Sequence, residues 1–144
     1  MDNDDILKLE NQLCFSVYAA SRAITKIYRP FLDKLGITYP QYLVMLILWE
    51  DETITLKDLC KKLYLDSGTL TPLLKRLESM ELIKRVRSME DERILCVSLA
   101  EKGRAMKTEA IKVPECVLGT INADVAFLAN LKGEVDKLLK DIKE

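Results

Sequence analysis

The sequence contains no histidine. Ser-His-Asp and Cys-His nucleophilic catalysis are therefore excluded, and so is every histidine-ligated metal site. The four cysteines, Cys14, Cys60, Cys96 and Cys116, are widely separated and form no Cys-x-x-Cys pair. That spacing argues against a zinc finger or a thioredoxin-type centre, and no cofactor is expected. With 5 glycines and 4 prolines, the chain is neither loop-rich nor disordered. No apolar run approaches the roughly 20 residues of a membrane helix, so no membrane association is expected. The opening, Met1 to Asp5, is acidic and unlike a secretory or transit signal. The expectation is a cytoplasmic chain with reduced thiols, in which a disulfide would act as a switch rather than a staple.

What is present is an ordinary globular composition in 144 residues, 49% apolar and 31% charged. This length suits one domain, residues 1–144, with a real core. A net charge of −1 conceals an uneven distribution. Residues 1–53 carry −3, residues 54–99 carry +2, and residues 100–144 are neutral. The central excess is concentrated in Lys75, Arg76, Lys84, Arg85, Arg87 and Arg93. A local basic patch matters more to phosphate binding than overall charge. The plainer alternative is a solvated mixed-charge surface.

Apolar periodicity organises the rest. Ile6, Leu9, Leu13, Val17, Ala20, Ile24, Ile27, Phe31 and Leu35 recur every three or four residues. They predict one helix of about 30 residues, roughly 45 Å long, which Pro30 should kink or end. Such a helix is too long for this domain to cover, so a second chain is expected to complete its burial. Gly36 closes it. Thr38 or Tyr39 caps the next helix, with Pro40 in its first turn, and Gln41 to Trp49 read as buried. Glu50 to Glu52 mark a turn.

A third helix follows Thr55, with Leu56, Leu59, Cys60 and Leu63 on one face. Tyr64 to Asp66 form a tight turn. A fourth helix starts near Ser67 or Gly68, with Pro72 expected in its first turn. Leu70, Leu73, Leu74, Leu77 and Met80 form its core face, and Thr69, Thr71, Lys75, Arg76 and Ser79 its other face. Leu82–Arg87 and Ile94–Leu99 read as a two-stranded hairpin joined by the polar segment Ser88–Arg93. A helix resumes at Glu101, with a kink at Pro114 and a break around Gly119 and Asn122. Val125, Leu128, Leu131, Val135, Leu138 and Ile142 form a last amphipathic stripe.

Helix, tight turn, helix and charged ribbon make a winged helix-turn-helix, in a mainly α fold with a small β wing. The second helix would offer hydroxyls and cations to a major groove, and the ribbon would offer Arg93 to the minor groove or backbone. The competing interpretation is a ligand-free α/β scaffold.

The chain resembles the MarR family of bacterial transcription regulators along its whole length. Asp91-Glu-Arg93, followed by a strand to Ser98-Leu99, is similar to the family's wing signature. Ala100 stands where the family usually has a threonine, so a helix cap is lost. Three stretches resemble the organic-hydroperoxide-resistance branch: Leu9-Glu-Asn-Gln-Leu-Cys14-Phe, Ile37-Thr-Tyr-Pro-Gln-Tyr42 and Leu65-Asp-Ser-Gly-Thr-Leu-Thr-Pro-Leu-Leu-Lys-Arg76.

The resemblance implies a homodimeric repressor of a pseudopalindromic double-stranded operator. Residues 1–36 and 101–144 would form the helical dimerisation region, and 37–100 the winged helix-turn-helix. It implies DNA contacts from Ser67, Thr69, Thr71, Pro72, Lys75, Arg76, Arg85, Arg87, Asp91 and Arg93, with Asp91 orienting Arg93.

It also makes Cys14 the sensor of an organic hydroperoxide. Tyr28 and Tyr39 match the tyrosine pair that supports its thiolate. Well inside a helix, no strong dipole effect on the thiol is expected, so hydroxyl donors must do that work. Tyr28 follows Cys14 by about 21 Å of helix, so the two would meet only between subunits. Cys116 lies where two-cysteine members carry a resolving thiol, and an intersubunit Cys14–Cys116 disulfide is the implied switch. One-cysteine members use a small thiol instead. Cys60 and Cys96 read as structural. Two rivals remain: a repressor controlled by a small aromatic ligand in the dimer cleft, and a thiol peroxidase. For the second, no peroxidase constellation surrounds Cys14, so no enzyme is expected.

Overall fold

The computed structural model describes residues 2–142. Its elements are α1 (Asn3–Ile6), a 3-10 turn (Leu9–Asn11), α2 (Leu13–Asp33), α3 (Tyr39–Asp51), β1 (Thr53–Thr55), α4 (Leu56–Leu63), α5 (Ser67–Ser79), β2 (Ile83–Arg87), β3 (Leu95–Leu99), α6 (Glu101–Ala110), α7 (Val113–Thr120) and α8 (Val125–Asp141). Two compact units divide the chain, Met1–Val113 and Pro114–Glu144. The fold is a winged helix, mainly helical with a small antiparallel sheet.

Local chemistry sets the helix ends. Thr38 and Gln41 form a reciprocal capping box at the start of α3. Gln41 is buried, and this bond accounts for it. Thr55 caps α4 by accepting from the Asp58 N–H, and Asp66 caps α5 by accepting from the Thr69 N–H at 2.7 Å. α2 ends in a Schellman pair, Ile37 N–H to Leu32 C=O and Gly36 N–H to Asp33 C=O. Gly36 supplies the positive φ of 74° that this geometry demands. Ala100 begins α6 without a side-chain cap.

The core of the first unit gathers Leu32 of α2, Val44, Met45 and Leu48 of α3, Leu59 of α4, Leu70, Leu74 and Leu77 of α5, and Val97 of β3, all essentially inaccessible. The sheet order is β1-β3-β2, with Thr53 opposite Ser98 and Arg85 opposite Val97. α6 is docked by a close approach: a Cβ on Gly103 would lie 2.2 Å from the Leu82 carbonyl oxygen. The Trp49 indole N–H donates to the Gly103 carbonyl at 2.9 Å, and Arg104 pairs with Glu52 at the end of α3.

Several expectations are corrected. The apolar stripe from Ile6 is not one helix. Lys8 and Gln12 are extended, and a 3-10 turn lies between them. Side-chain amides take the carbonyls that a continuous helix would use: Asn11 donates to Asp5 C=O, and Gln12 to Ile6 and Lys8 C=O. α2 therefore starts at Leu13, and Cys14 lies in its first turn rather than deep in a helix. Pro30 does not end α2, which runs three residues further to Asp33. Pro72 lies in the second turn of α5, because that helix already starts at Ser67. The ribbon is one part of a three-stranded sheet, because Thr53–Thr55 adds β1. The break before α7 falls at Ile111 and Lys112, ahead of Pro114, which lies in the first turn of α7.

Gly103→Ala is expected to destabilise the fold by about 3 kcal/mol, since the new methyl meets backbone and not a flexible side chain. Urea unfolding measures this. A loss below about 0.5 kcal/mol, the scale of an ordinary surface change, would show that α6 is free to back away.

Candidate functional site

Two clusters of side chains stand out. The first is basic. The Asp66 cap fixes the start of α5, and hydrogen bonds from Thr69 hold its carboxyl below the usual aspartate range. Opposite the buried Leu70, Leu74 and Leu77, α5 presents Ser67, Thr69, Pro72, Lys75 and Arg76 to solvent. Thr71 is half-buried, and its hydroxyl donates to the Ser67 carbonyl at 2.6 Å.

The wing carries Arg87, which is exposed, and Arg93, whose side chain is 90% exposed. Asp91 holds Arg93 at three points: the Arg93 N–H and Nε donate to Oδ1, and the guanidinium NH2 to Oδ2, all at 3.0–3.1 Å. These bonds keep the Asp91 carboxyl below its ordinary range. Arg85 is placed differently from the other cations. Only 20% of its side chain is exposed, and its guanidinium pairs with Glu78 of α5.

The second cluster concerns thiols and phenols. Cys14 is exposed in the first turn of α2. Tyr28 of α2 and Tyr39 of α3 meet with ring centroids 4.9 Å apart, and Tyr42 completes the group, 5.7 Å from Tyr28. Burial pushes all three phenols above their ordinary range, Tyr42 to about 12, with the neighbouring phenols adding to the shift on Tyr28 and Tyr42. They remain O–H donors at neutral pH.

A cleft of about 780 Å³ adjoins Tyr39 and is lined in part by Arg22, Lys26 and Arg29. Cys116 is exposed on α7 in the second unit. Cys60 and Cys96 are half-buried. Sequence reasoning missed Glu78 and Tyr42. Tyr42 had a signal, since it follows Tyr39 by one helical turn. Glu78 had none, because its pairing with Arg85 crosses from helix to strand.

Among the described residues no group of His, Cys, Asp or Glu is placed to hold a metal ion. No helix among them is long and apolar enough to cross a membrane.

In ultraviolet-absorbance titration, these three phenols are expected to stay protonated past the ordinary value of 10.0, with Tyr42 last. Tyr42→Phe should remove the last-titrating transition. Titration of all the phenols at the ordinary value would contradict the packing described.

Comparisons with known proteins agree with this fold. Residues 26–110 match the family model "Transcriptional regulator SarA/Rot". The organic hydroperoxide resistance transcriptional regulator of Bacillus subtilis is 52% identical over 97% of this chain and 95% of its own. The structure of reduced AbfR bound to DNA superposes with a TM-score of 0.78 at 38% identity, covering 95% of each chain. Disulfide-formed AbfR superposes at 0.66 with 38% identity, covering 94% of this chain and 96% of that one. AbfR is a protein of Staphylococcus epidermidis. With a family model over more than half its length and a relative at this identity, the chain belongs to the MarR/SarA family of transcriptional regulators and is not an enzyme.

Proposed function

We propose that the chain is a homodimeric repressor that binds a pseudopalindromic double-stranded operator and releases it when an organic hydroperoxide oxidises Cys14. The observation that carries this reading is the exposed thiol in the first turn of α2, in a chain that also assembles the Tyr28–Tyr39 pair. Its similarity to the organic hydroperoxide resistance regulator and to AbfR, whose reduced form was solved on DNA and whose disulfide form is also known, supports it. It works in the cytoplasm, where thiols stay reduced.

Dimerisation follows from what one chain leaves uncovered. Leu9, Leu13, Phe15 and Val17 around the start of α2 are exposed, and so are Val125, Phe127 and Leu131 on α8. A second copy would remove such faces from water. Two copies of α5 would then enter successive major grooves, about 34 Å apart. Ser67, Thr69, Thr71 and Pro72 would face base edges or the groove rim. Lys75, Arg76, Arg85 and Arg87 would serve phosphates, and Arg93, aimed by Asp91, the minor groove or backbone.

In the redox step, the Cys14 thiolate attacks the outer oxygen of the hydroperoxide, and the O–O bond breaks. The alkoxide takes a proton and leaves as the alcohol, while Cys14 becomes a sulfenic acid. Tyr28 and Tyr39 of the other subunit donate hydrogen bonds to the thiolate. The Cys116 thiol of the other subunit then attacks the sulfenic sulfur, forming the disulfide and releasing water. The link repacks the helical region and moves the two α5 helices off groove spacing.

The cleft beside Tyr39 favours one alternative, in which an aromatic acid held by Arg22, Lys26 and Arg29 controls the repressor and Cys14 is inert.

Treatment with one equivalent of cumene hydroperoxide, followed by a non-reducing denaturing gel, separates these readings. A dimer-sized band is expected that needs both cysteines, is absent from Cys14→Ser and Cys116→Ser, and disappears with reductant. Oxidation of Cys14 without that band would leave a one-cysteine sensor resolved by a small thiol. No oxidation at all would leave the ligand-controlled repressor.

A further inference from the structure

The wing and α5 are joined by more than their connecting turn. Glu78, in the last turn of α5, accepts two hydrogen bonds from Arg85 of β2. The Arg85 backbone N–H reaches Oε2 and the guanidinium NH2 reaches Oε1, both at 3.1 Å. β2 is an edge strand, outside β3. The Arg85 N–H is therefore an edge donor that Glu78 takes up, so the carboxylate grips strand backbone as well as side chain.

The guanidinium is turned inward. Its Nε is buried and has no partner among the described residues, whereas the Arg93 guanidinium is almost fully in solvent. A cation reaching for a phosphate would be arranged as Arg93 is. The paired Arg85 holds the Glu78 carboxyl below the usual glutamate range, so the carboxylate is charged at neutral pH.

We propose that the Glu78–Arg85 pair is a strut that fixes the wing against α5, making both of them positioning residues for DNA binding rather than DNA contacts. This rests on the reading that α5 and Arg93 meet DNA, and it reassigns Arg85 within that reading. The hairpin projects beyond its root, so a small swing at β2 becomes a large displacement of Arg93 at the tip. Two hydrogen bonds to one carboxylate, one of them to backbone, oppose that swing.

Elementary electrostatics predicts the opposite effect of removing Glu78. Deleting an acidic group beside a DNA-reading helix should tighten binding, because one fewer negative charge faces the phosphates. A strut predicts weaker binding.

The test uses full-length protein and a labelled duplex selected from a random pool by the wild type, read by fluorescence anisotropy. Glu78→Gln removes the charge. Glu78→Asp keeps the charge but shortens the reach, so any loss it causes is not a net-charge effect. Each is expected to weaken binding about tenfold, the scale of one well-formed protein–DNA contact, with thermal melting still cooperative.

Arg93→Ala should weaken binding too, and in an Arg87→Ala/Arg93→Ala background, which removes both exposed wing arginines, neither Glu78 variant should cost anything further, because the strut acts only through the wing. Wild-type or tighter binding by both Glu78 variants, with Arg93→Ala weakened, overturns the strut and leaves the wing contact standing. Losses that multiply when Glu78 is changed in that background also overturn it, since Glu78 would then act elsewhere. No effect of Arg93→Ala removes the wing contact itself, and the strut with it.

Discussion

Fourteen residues of one helix separate Cys14 from Tyr28, a rise of about 21 Å. No rotamer change closes that distance. Tyr28 is anchored against Tyr39 and Tyr42, so the phenols are gathered at one end of α2 while the thiol is at the other. If thiol and phenols work together, they do so between two chains. The apolar side chains exposed around the start of α2 give a second chain a reason to be there. In this account sensor and dimer are one construction: the surface that needs covering also carries the thiol.

The same economy applies at the other functional face. The Asp66 cap sets where α5 begins, and Gly103 lets α6 approach close enough to lock against the root of β2. Trp49, Glu52 and Arg104 join the end of α3 to α6, and the Glu52 carbonyl also accepts from the Leu99 N–H at the wing root at 2.8 Å. A coupling of about 1–3 kcal/mol suffices to change operator occupancy several-fold or more.

Much of this was legible in the sequence, for local reasons. Thr38 with Pro40, the residue after Thr55, and Ser67 or Gly68 mark helix starts in the sequence, and the structure starts helices at or beside them. The wing strands were legible from alternation, as Val97 and Leu99 facing the core confirm.

The failures were of another kind. The stripe through Ile6, Leu9 and Leu13 keeps helical spacing across a stretch that is not a continuous helix. Periodicity records which residues are apolar, not that Asn11 and Gln12 will capture the backbone carbonyls. That error had a consequence, because it hid the place of Cys14 at a helix start. β1 is three residues long, too short for alternation, and only its run of β-branched residues hinted at it. The Glu78–Arg85 pair is a tertiary contact that spacing along the chain does not encode.

The most direct test is anisotropy of the selected duplex with wild-type and Cys14→Ser protein, before and after one equivalent of cumene hydroperoxide. The account predicts that both bind when reduced, with affinity falling steeply as salt rises. After oxidation only the wild type should release the duplex, and reductant should restore it. Release by Cys14→Ser, or retention by oxidised wild type whose Cys14 is demonstrably modified, would contradict the account.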